Sequence, residues 1–542
     1  MFKAILRLYS FAIAHTLVVA LRARQSSLLA YLSWFWRSKT FRSSGSLQKT
    51  DRPLVVLLFA IMLLQIVAGV SLLIDWALYG SVGYWAFGLA LLVSYPLVAA
   101  IALALSVALY RLAYYVIRPK KLGKIIIARL LERQVKRLRK KHKFTVVAIA
   151  GSIGKTSTKL AVAQLLSQRL RVRYEAGNYN DRITVPLIFF DQRQPALFNL
   201  FAWAKLLGEN AAALEHTYPY DVVVVEIGTD GPGQMKHFAY LKPDITILTA
   251  ITPEHMEFFG TLDAVAAEEL TIFQYSKRVL VNGDDIPGKY LAGYDFEEYS
   301  MLTNVAQNYH AHATAHSLDG QTLQIDIPSG KLTANVAFVG KPGAKYAVVA
   351  TAVADMLGMS REDIKAGLSR LEQFPGRMQL LEGIKNSRLI DDSYNASPEP
   401  VKSALDVLYE AKAPQRIAIL GNMNELGEFS REAHEDVGRY CSPKKLDLVV
   451  TIGPEAKRWL APAAKAQGCQ VRSFMNPYDA GDYVRRHLKE KAVVLAEGSQ
   501  NGVFCEEALK PLLAHPADTA KLVRQSRYWL RQKAKQFKDV TL

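Results

Sequence analysis

Two long runs of hydrophobic residues near the N-terminus dominate the pattern of the chain. Leu54 to Ile74 reads LVVLLFAIMLLQIVAGVSLLI and contains no charged residue. At a rise of about 1.5 Å per residue, a helix of this length spans a bilayer core of about 30 Å. A second apolar run extends from about Tyr84 towards Val116, past Arg111. The pattern therefore predicts a transmembrane helical hairpin, with spans at about residues 54–74 and 84–116.

The positive charge of the chain lies around these two runs. The net charge is +18, and residues 1–145 hold 22 lysines and arginines but only three acidic residues, so the remainder is close to neutral. Basic residues before the first span and after the second place both flanks in the cytoplasm. We therefore expect a multi-pass protein of the cytoplasmic (inner) membrane, with everything after residue 118 in the cytoplasm. A nucleic-acid-binding domain more often carries its own basic face, so nucleic acid is not an expected partner.

Three segments combine basic and apolar residues in a way that is typical of contact with membrane lipid. Residues 1–24 are predicted to form an interfacial helix, since no small-residue cleavage site for a signal peptide follows them. Residues 118–143 either lie on anionic lipid or form a solvated helix whose charges only set the topology. The tail at 519–538, with Tyr528 and Trp529, either lies on the membrane or packs on its own domain.

A phosphate-binding loop follows the basic segment. FTVVAIA at 144–150 has the pattern of a buried strand, GSIGKTSTK follows at 151–159, and LAVAQLLSQRL then has a helical pattern. Strand, glycine-rich turn and helix form the context that such a loop requires. Ile149 occupies the first glycine position of the longer GxxxxGK[ST] pattern, so only GxxGKT is present. The residues expected to bind ATP phosphates here are Gly151, Ser152, Gly154, Lys155, Thr156 and Ser157, with the Thr156 hydroxyl also able to ligate Mg²⁺.

An ordered series of motifs runs through the rest of the chain. It comprises GNYNDRITVPL at 177–187, VVVVEIGTDGPGQM at 222–235, ITPEHMEFFG at 251–260, VNGDD at 281–285, PGRMQ at 375–379, DDSYNASPEPVKSAL at 391–405, GNMNELGEFSREAH at 421–434 and EGSQNGVFCEE at 497–507. Each motif alone is a weak signal. As a series they resemble the Mur ligases, and within them the type that adds D-alanyl-D-alanine to a UDP-linked muramyl tripeptide. The resemblance covers about residues 143–510.

The resemblance implies an α/β fold for about residues 143–510, and together with the apolar and basic patterns it divides the chain into three parts. A membrane module at 1–142 carries the transmembrane hairpin, a central ATP-binding domain with a mainly parallel sheet follows at 143–375, and a Rossmann-like C-terminal domain with a basic tail helix occupies 376–542. It also implies an ATP-dependent ligase in peptidoglycan precursor synthesis. In that reaction a substrate carboxylate attacks the γ-phosphate of ATP, and an amine then displaces phosphate from the acyl phosphate.

The resemblance assigns roles to individual residues. Lys155, His255 and Arg377 are the expected catalytic residues. Thr156, Glu226, His255 and Glu269 are the expected metal ligands, and Arg377, Asp392 and Tyr394 join the phosphate loop in binding ATP. The expected substrate contacts are Asn178, Asn180, Asp391, Asn395 and Glu425. ATP and Mg²⁺ are the implied cofactors, and the implied partners are a muramyl peptide and an amino acid or dipeptide amine.

The sequence also departs from the family pattern. Glu269 stands where the family usually carries a carbamylated lysine, and we expect its carboxylate to serve the second Mg²⁺ directly. GKPGAKYA at 340–347 lacks the family's His and Asn near the adenine, Asn422 replaces an Asp, and Glu497 replaces the Lys of a KGS motif. The membrane module occupies the place of the family's N-terminal UDP-binding domain. These departures bear on the acceptor, which is either UDP-linked or lipid-linked.

Other functions fit parts of the same pattern. A membrane-bound poly-γ-glutamate synthase-like ligase also joins a hydrophobic N-terminus to a Mur-like core, but the DDSYN and NMNELG segments favour the first type. Subunits that amidate lipid-linked peptidoglycan usually carry a four-cysteine zinc site, which three scattered cysteines, Cys441, Cys469 and Cys505, cannot build. An inactive ATP-binding scaffold is the alternative outside the enzymes, and the retained Lys155 and Glu226 argue against it.

Overall fold

The protein is described by a computed structural model that covers residues 8–23, 28–37, 51–80, 82–117, 119–302, 308–500 and 502–537. The chain divides into two compact units, residues 1–126 and residues 127–542. Residues 1–7 and 24 of the predicted interfacial helix, and residue 538 of the predicted tail, lie outside the described residues.

The first unit is helical. Its helices are α1 (Phe11–Ala23), α2 (Leu28–Arg37), α3 (Arg52–Tyr79), α4 (Val82–Val93) and α5 (Tyr95–Ile117), and α6 (Pro119–Lys141) continues from it into the second unit. Helix α3 has 28 residues and is long and apolar enough to cross a membrane. Helix α1 buries Leu17 and Val18 in one apolar cluster with Leu58 of α3 and Leu103 of α5. The described part of the predicted interfacial helix therefore packs against its own unit.

The second apolar run is not one straight helix, so the expected single span at 84–116 needs correction. It forms two helices, and the segments Gly83–Val93 and Tyr95–Leu109 meet at an angle of 56°. Pro96 explains the break, because proline lacks the amide hydrogen and its ring clashes with the carbonyl four residues earlier. That carbonyl belongs to Leu92, and it accepts a hydrogen bond from the Tyr9 hydroxyl at 2.8 Å instead. The bent pair counts as a second candidate span only if both helices are taken together.

The second unit contains two sheets, and the first lies in residues 145–336. Its strands run in the order β2-β3-β1-β4-β5-β6-β7-β8-β9. Neighbouring strands are parallel from β2 to β7, and the β7–β8 and β8–β9 pairs are antiparallel. The strands are β1 (Thr145–Ala150), β2 (Val172–Arg173), β3 (Val222–Glu226), β4 (Ile245–Leu248), β5 (Arg278–Asn282), β6 (Glu297–Ser300), β7 (Tyr309–Ser317), β8 (Gly320–Ile327) and β9 (Gly330–Val336).

Helices cover this first sheet. They are α7 (Lys155–Leu166), α8 (Thr184–Ile188), α9 (Leu200–Ala213), α10 (Met256–Phe259), α11 (Leu262–Glu269), α12 (Gly340–Met356) and α13 (Arg361–Leu368). Strands β3 and β4 are buried along their whole length, as continuous apolar runs between helices require. The carboxyl ends of β1, β3 and β4 therefore meet at one edge of the sheet. Glu226 is the last residue of β3, and Gly151 and Thr249 directly follow β1 and β4.

The second sheet lies in residues 379–497 and has the strand order β10-β11-β15-β12-β13-β14. All neighbouring pairs are parallel except β10 with β11. Its strands are β10 (Gln379–Glu382), β11 (Arg388–Asp392), β12 (Arg416–Gly421), β13 (Leu448–Ile452), β14 (Val471–Phe474) and β15 (Val493–Glu497). The helices are α14 (Pro398–Glu410), α15 (Ser430–Tyr440), α16 (Ala461–Ala466), α17 (Pro477–His487), α18 (Glu506–Leu509) and α19 (Arg527–Gln536). The expected α/β class with parallel-rich sheets is confirmed.

The C-terminal helix α19 packs on its own domain, which was one of the two alternatives for the tail. Lys533 is fully buried, and its ammonium lies 2.9 Å from a carboxylate oxygen of Glu506 and 2.5 Å from one of Glu507. Trp529 makes an edge-to-face contact with Phe504. Tyr528 is 63% exposed, and its ring contacts that of Trp529.

Candidate active site

The phosphate loop has the backbone geometry that its sequence predicts. It occupies residues 151–154, between β1 and α7, and both Gly151 and Gly154 have positive φ angles, of 118° and 80°. A Cβ atom on Gly151 would come within 2.4 Å of the Thr249 hydroxyl oxygen, so only glycine fits there. The loop thus leads into the N-terminus of a 12-residue helix, where amide groups and the helix dipole favour an anion.

Lys155 is folded against this loop. Its ammonium donates to the carbonyl oxygens of Gly151 at 2.5 Å and Ser152 at 2.9 Å, and it lies 3.5 Å from a carboxylate oxygen of Glu254. Burial lowers the pKa of Lys155, but the surrounding carboxylates, Glu254 foremost, outweigh it and leave the pKa above its usual value. The side chain is therefore a fixed positive charge within reach of the loop.

Glu226 is the last residue of strand β3, and its carboxylate accepts three hydrogen bonds. Its carboxylate accepts from the Thr156 hydroxyl at 3.0 Å, from the Lys159 ammonium at 3.2 Å and from the Asn180 amide at 3.3 Å. Burial raises the pKa of Glu226, but the ammonium groups of Lys159 and Lys155 outweigh it, so the pKa lies below its usual value. The group remains a carboxylate at neutral pH.

Lys159 is a residue that the sequence analysis missed. Its side chain is fully buried, and besides Glu226 it donates to the Gly177 carbonyl at 3.0 Å. Lys159 therefore links Glu226, the candidate metal ligand, to the segment that contains Gly177 and Asn180. The available signal was a lysine in the first turns of a helix whose other inward positions are small or apolar.

Glu269 lies directly beneath the phosphate loop. It is 2% exposed, and its carboxylate accepts a hydrogen bond from the Gly151 amide at 2.9 Å. Burial raises its pKa to about 7, and the nearby Lys155 ammonium partly opposes that shift. Glu269 is thus part of the loop's support, and its predicted service to a second Mg²⁺ remains a prediction.

His255 lies between the two domains of the second unit. It has a left-handed backbone conformation with a φ of 49°. Its Nε2 atom lies 3.6 Å from Glu254 and 3.8 Å from Asp230, and its Nδ1 atom lies 3.4 Å from Glu425. Glu425 comes from the C-terminal domain, so the residue expected to contact substrate instead meets the expected metal-binding histidine.

The oxygen atoms at this edge of the sheet could serve as ligands of a Mg²⁺ ion that also keeps water and phosphate ligands. Within the described part of the chain, no three His, Cys, Asp or Glu side chains are grouped closely enough to hold a metal ion. Thr156 and Glu226 do present a hydroxyl and a carboxylate oxygen 3.0 Å apart beside the loop. Mg²⁺ is usually held by one or two such groups together with phosphate oxygens and water, so the set is adequate.

The C-terminal domain contributes a cation to the same region. The Arg377 guanidinium lies 4.1 Å from the ring centre of Tyr394, and the guanidinium of Arg377 also lowers the pKa of Asp392. Burial has the larger, opposite effect, and the pKa of Asp392 is raised to about 7. Asp392 accepts from the Met378 amide at 3.1 Å. Arg377, Asp392 and Tyr394 are therefore brought together as the sequence indicated.

The remaining substrate candidates differ in exposure. Asn178 and Asn395 are exposed, and Asn180 is half-buried against Glu226. Asp391 is fully buried and accepts from both the amide and the hydroxyl of Ser393, at 3.1 Å and 2.5 Å. Its side chain shapes the turn and is not brought to a surface where a substrate could touch it.

Two departures from the family pattern have structural consequences. Glu497 is 1% exposed, and neither of its carboxylate oxygens has a hydrogen-bond partner within the described residues. It is the register partner of Asp392 on the adjacent strand, and burial, followed by the charge of Asp392, raises its pKa well above the usual value. The other departure is the segment GKPGAKYA at 340–347. Its Lys345 ammonium lies 2.7 Å from a carboxylate oxygen of Asp285, and the Tyr346 ring lies 3.9 Å from the position that a Cβ on Gly154 would take.

Comparisons with known proteins agree with this geometry. Residues 149–354 match the Mur ligase middle domain, and residues 376–500 match the Mur ligase glutamate ligase domain. The UDP-N-acetylmuramoyl-tripeptide–D-alanyl-D-alanine ligase of Haemophilus influenzae is 28% identical over 384 residues, which are 67% of this chain and 76% of that protein. The ligase of the same name from Bacillus subtilis is 26% identical over 376 residues, 68% of this chain and 76% of that protein.

Solved structures share the fold. The MurF ligase from Thermotoga maritima in complex with ADP has a TM-score of 0.58 at 22% identity, covering 71% of this chain and 83% of that one. A folylpolyglutamate synthase from Mycobacterium tuberculosis has a TM-score of 0.51 at 16% identity, covering 72% of this chain and 98% of that one. The two domain matches together span most of the second unit. The chain therefore belongs to the Mur ligase family of ATP-dependent, amide-forming ligases.

Proposed function

We propose that this protein adds a D-alanyl-D-alanine-type dipeptide to the free carboxylate of a muramyl tripeptide in peptidoglycan precursor synthesis. The names of the curated relatives support this reaction, since those relatives are ligases for D-alanyl-D-alanine and a UDP-linked muramyl tripeptide. The observation that carries the proposal is the approach of the C-terminal domain to the central domain, with Glu425 at His255 and Arg377 close enough to act on Tyr346, which lies near Gly154 of the phosphate loop.

The first step brings two anions together, because a carboxylate oxygen must attack the γ-phosphorus of ATP while ADP leaves. Positive groups fixed in a buried site make such an approach possible. Lys155 is held among carboxylates at the loop, and Arg377 faces the same region from the C-terminal domain. Thr156 and Glu226 would hold Mg²⁺, and a bound Mg²⁺ neutralises charge on the phosphate oxygens.

The second step forms the amide bond. The amine nitrogen attacks the carbonyl carbon of the acyl phosphate, and inorganic phosphate leaves. Asn180 is positioned by Glu226 on the central-domain side, and Glu425 projects from the opposite domain beside His255. We assign Asn180 to the acceptor peptide and Glu425 to holding the two domains in the closed arrangement at His255.

The membrane location and the form of the acceptor belong to the proposal as well. Helix α3 supports an anchor in the cytoplasmic membrane, with the catalytic domains in the cytoplasm. We take the UDP-linked tripeptide as the acceptor, because that is the substrate in the relatives' names. Comparing kcat/KM for UDP-linked and lipid-linked tripeptides in nanodiscs tests this choice.

An oxygen-isotope experiment tests the acyl-phosphate route. Tripeptide labelled with ¹⁸O in its free carboxylate is incubated with the protein, ATP, Mg²⁺ and D-alanyl-D-alanine. One labelled oxygen is expected in the released phosphate, because the carboxylate oxygen stays with phosphorus when the amide forms. Release of unlabelled phosphate with ligated product would reject the route, and phosphate release without ligated product would identify an ATPase that lacks the ligase activity.

A further inference from the structure

An exposed apolar tip stands at the start of helix α9. Phe198, Leu200 and Phe201 are 62%, 75% and 82% exposed, and all three lie within four consecutive positions of the chain. The tip is held in shape by Asn199, whose side chain accepts a hydrogen bond from the Ala202 amide at 3.0 Å. Large apolar side chains clustered on a surface indicate an interaction site, whereas scattered ones do not.

Helix α9, which carries the tip, packs against helix α6. Trp203 and Leu206 of α9 share one buried cluster with Ile127 and Leu131 of α6. Further along, Gln134 of α6 donates to the Leu207 carbonyl at 2.8 Å and accepts from the Asn210 amide at 3.0 Å. The two helices therefore run in the same direction, and the tip lies towards the N-terminal end of α6.

The face of α6 that is turned away from this contact is basic. Its exposed residues recur at helical spacing, and they are Arg129, Arg133, Lys136, Arg137 and Lys140. Within the described residues, none of these five forms an ion pair, whereas Arg139 and Lys141 of the same helix pair with Asp244 and Glu215. Leu130, 37% exposed, lies among them. We call these five residues the basic stripe.

We propose that the apolar tip docks on an anionic lipid bilayer and that the basic stripe adds an electrostatic attraction to the same membrane. Aromatic and leucine side chains enter the boundary between headgroups and acyl chains, and lysine and arginine within about 10 Å of the surface are attracted to anionic headgroups without having to touch them. The occupant follows from the chain itself, because only residue 118 separates α6 from the apolar helix Tyr95–Ile117. A surface tethered this closely to an apolar segment meets lipid at high effective concentration.

Site-specific fluorescence on the full-length protein in nanodiscs tests the proposal. Phe201→Cys is labelled with an environment-sensitive fluorophore, and Met475→Cys serves as the control because Met475 is 53% exposed on the C-terminal domain. The native Cys441, Cys469 and Cys505 are buried and do not compete for the label. Nanodiscs contain phosphatidylcholine with or without phosphatidylglycerol, and some contain doxyl-labelled lipid as a quencher.

We expect the probe at 201, and not the probe at 475, to shift to shorter emission wavelengths and to be quenched by doxyl lipid when phosphatidylglycerol is present. The combined Arg133→Gln, Arg137→Gln and Lys140→Gln changes, or high salt, should reduce the quenching. A probe at 201 that remains water-like overturns the proposal. A probe that shifts but is not quenched by lipid also overturns it, because a protein surface then covers the tip. The docking proposal rests on the proposed membrane anchor, but neither readout depends on ligase activity, so the proposed reaction stands or falls separately.

Discussion

The Nδ1 atom of His255 lies 3.4 Å from a carboxylate oxygen of Glu425, and this pair joins the central domain to the C-terminal domain. Both residues have left-handed backbone conformations, with φ angles of 49° and 66°. Non-glycine residues adopt this conformation rarely, and it recurs at functional sites. We therefore expect this contact to couple the arrangement of the two domains to the chemistry.

Replacing Glu425 should slow the reaction without unfolding the protein. Glu425→Ala removes the interdomain partner of His255, and we expect kcat/KM for ATP to fall at least about tenfold, which corresponds to about 1.4 kcal/mol of lost transition-state stabilisation. The melting temperature should not change, because the side chain is half-exposed. Glu428→Ala, an exposed carboxylate in the same loop, is the matched control. Equal activity of both variants would remove Glu425 from the site.

The Glu269 carboxylate gives a prediction about carbon dioxide and magnesium. A carbamylated lysine depends on dissolved CO₂, whereas a glutamate carries its carboxyl group without CO₂. Activity should therefore be independent of added bicarbonate, and Glu269→Gln should raise the Mg²⁺ concentration that gives half-maximal rate. The measurement is initial rate against Mg²⁺ concentration for both proteins. An unchanged Mg²⁺ dependence would restrict Glu269 to its contact with the Gly151 amide.

The unpartnered Glu497 carboxylate predicts a dependence of stability on pH. Its folded-state pKa is raised by burial first, so protonation is favoured in the folded state. The stability that this group contributes is complete below its unfolded pKa of about 4.3 and is lost as pH rises towards its folded pKa. Wild type and Glu497→Gln should therefore unfold alike at low pH.

As pH rises, the difference between these two proteins should grow, by up to about 1.4 kcal/mol per pH unit, with the glutamine variant more stable. Denaturant unfolding across pH 4 to 8 measures it. Glu432→Gln removes an exposed carboxylate of the C-terminal domain and should follow wild type at every pH. Parallel curves for wild type and Glu497→Gln would show that Glu497 has a partner in solution.

Membrane topology is tested by cysteine labelling from outside intact cells. We predict that residues 1–50 and 120–542 share the cytoplasmic side and that the segment from Asp75 to Gly83 is outside. Tyr79→Cys, at a position that is 78% exposed, should react with an impermeant maleimide, and Gly123→Cys should react only after lysis. Labelling of Gly123→Cys, and not of Tyr79→Cys, in intact cells would show the opposite orientation.

Local sequence determined what could be predicted, and tertiary contacts determined what could not. The phosphate loop was predictable because strand, glycines, lysine and helix are contiguous. Pro96 is the local signal for the break in the second span, whereas the length of the apolar run alone predicts one uninterrupted helix. The proximity of His255 and Glu425, 170 positions apart, depends on how the two domains close and has no local signature. Asp391 and Asp392 are adjacent, yet only the burial of the sheet decides that one shapes a turn and the other faces Arg377.

We propose above that the Lys155 site drives amide ligation. The most direct measurement combines phosphate release with product mass, using full-length protein in nanodiscs, ATP, Mg²⁺, UDP-linked muramyl tripeptide and D-alanyl-D-alanine. We predict one phosphate released for each pentapeptide product formed, and loss of more than about nine-tenths of kcat in a folded Lys155→Ala variant, beyond about 1.4 kcal/mol of transition-state stabilisation. Ligated product from Lys155→Ala at the wild-type rate, or no product from the wild type with any muramyl tripeptide, would contradict this assignment of the Lys155 site.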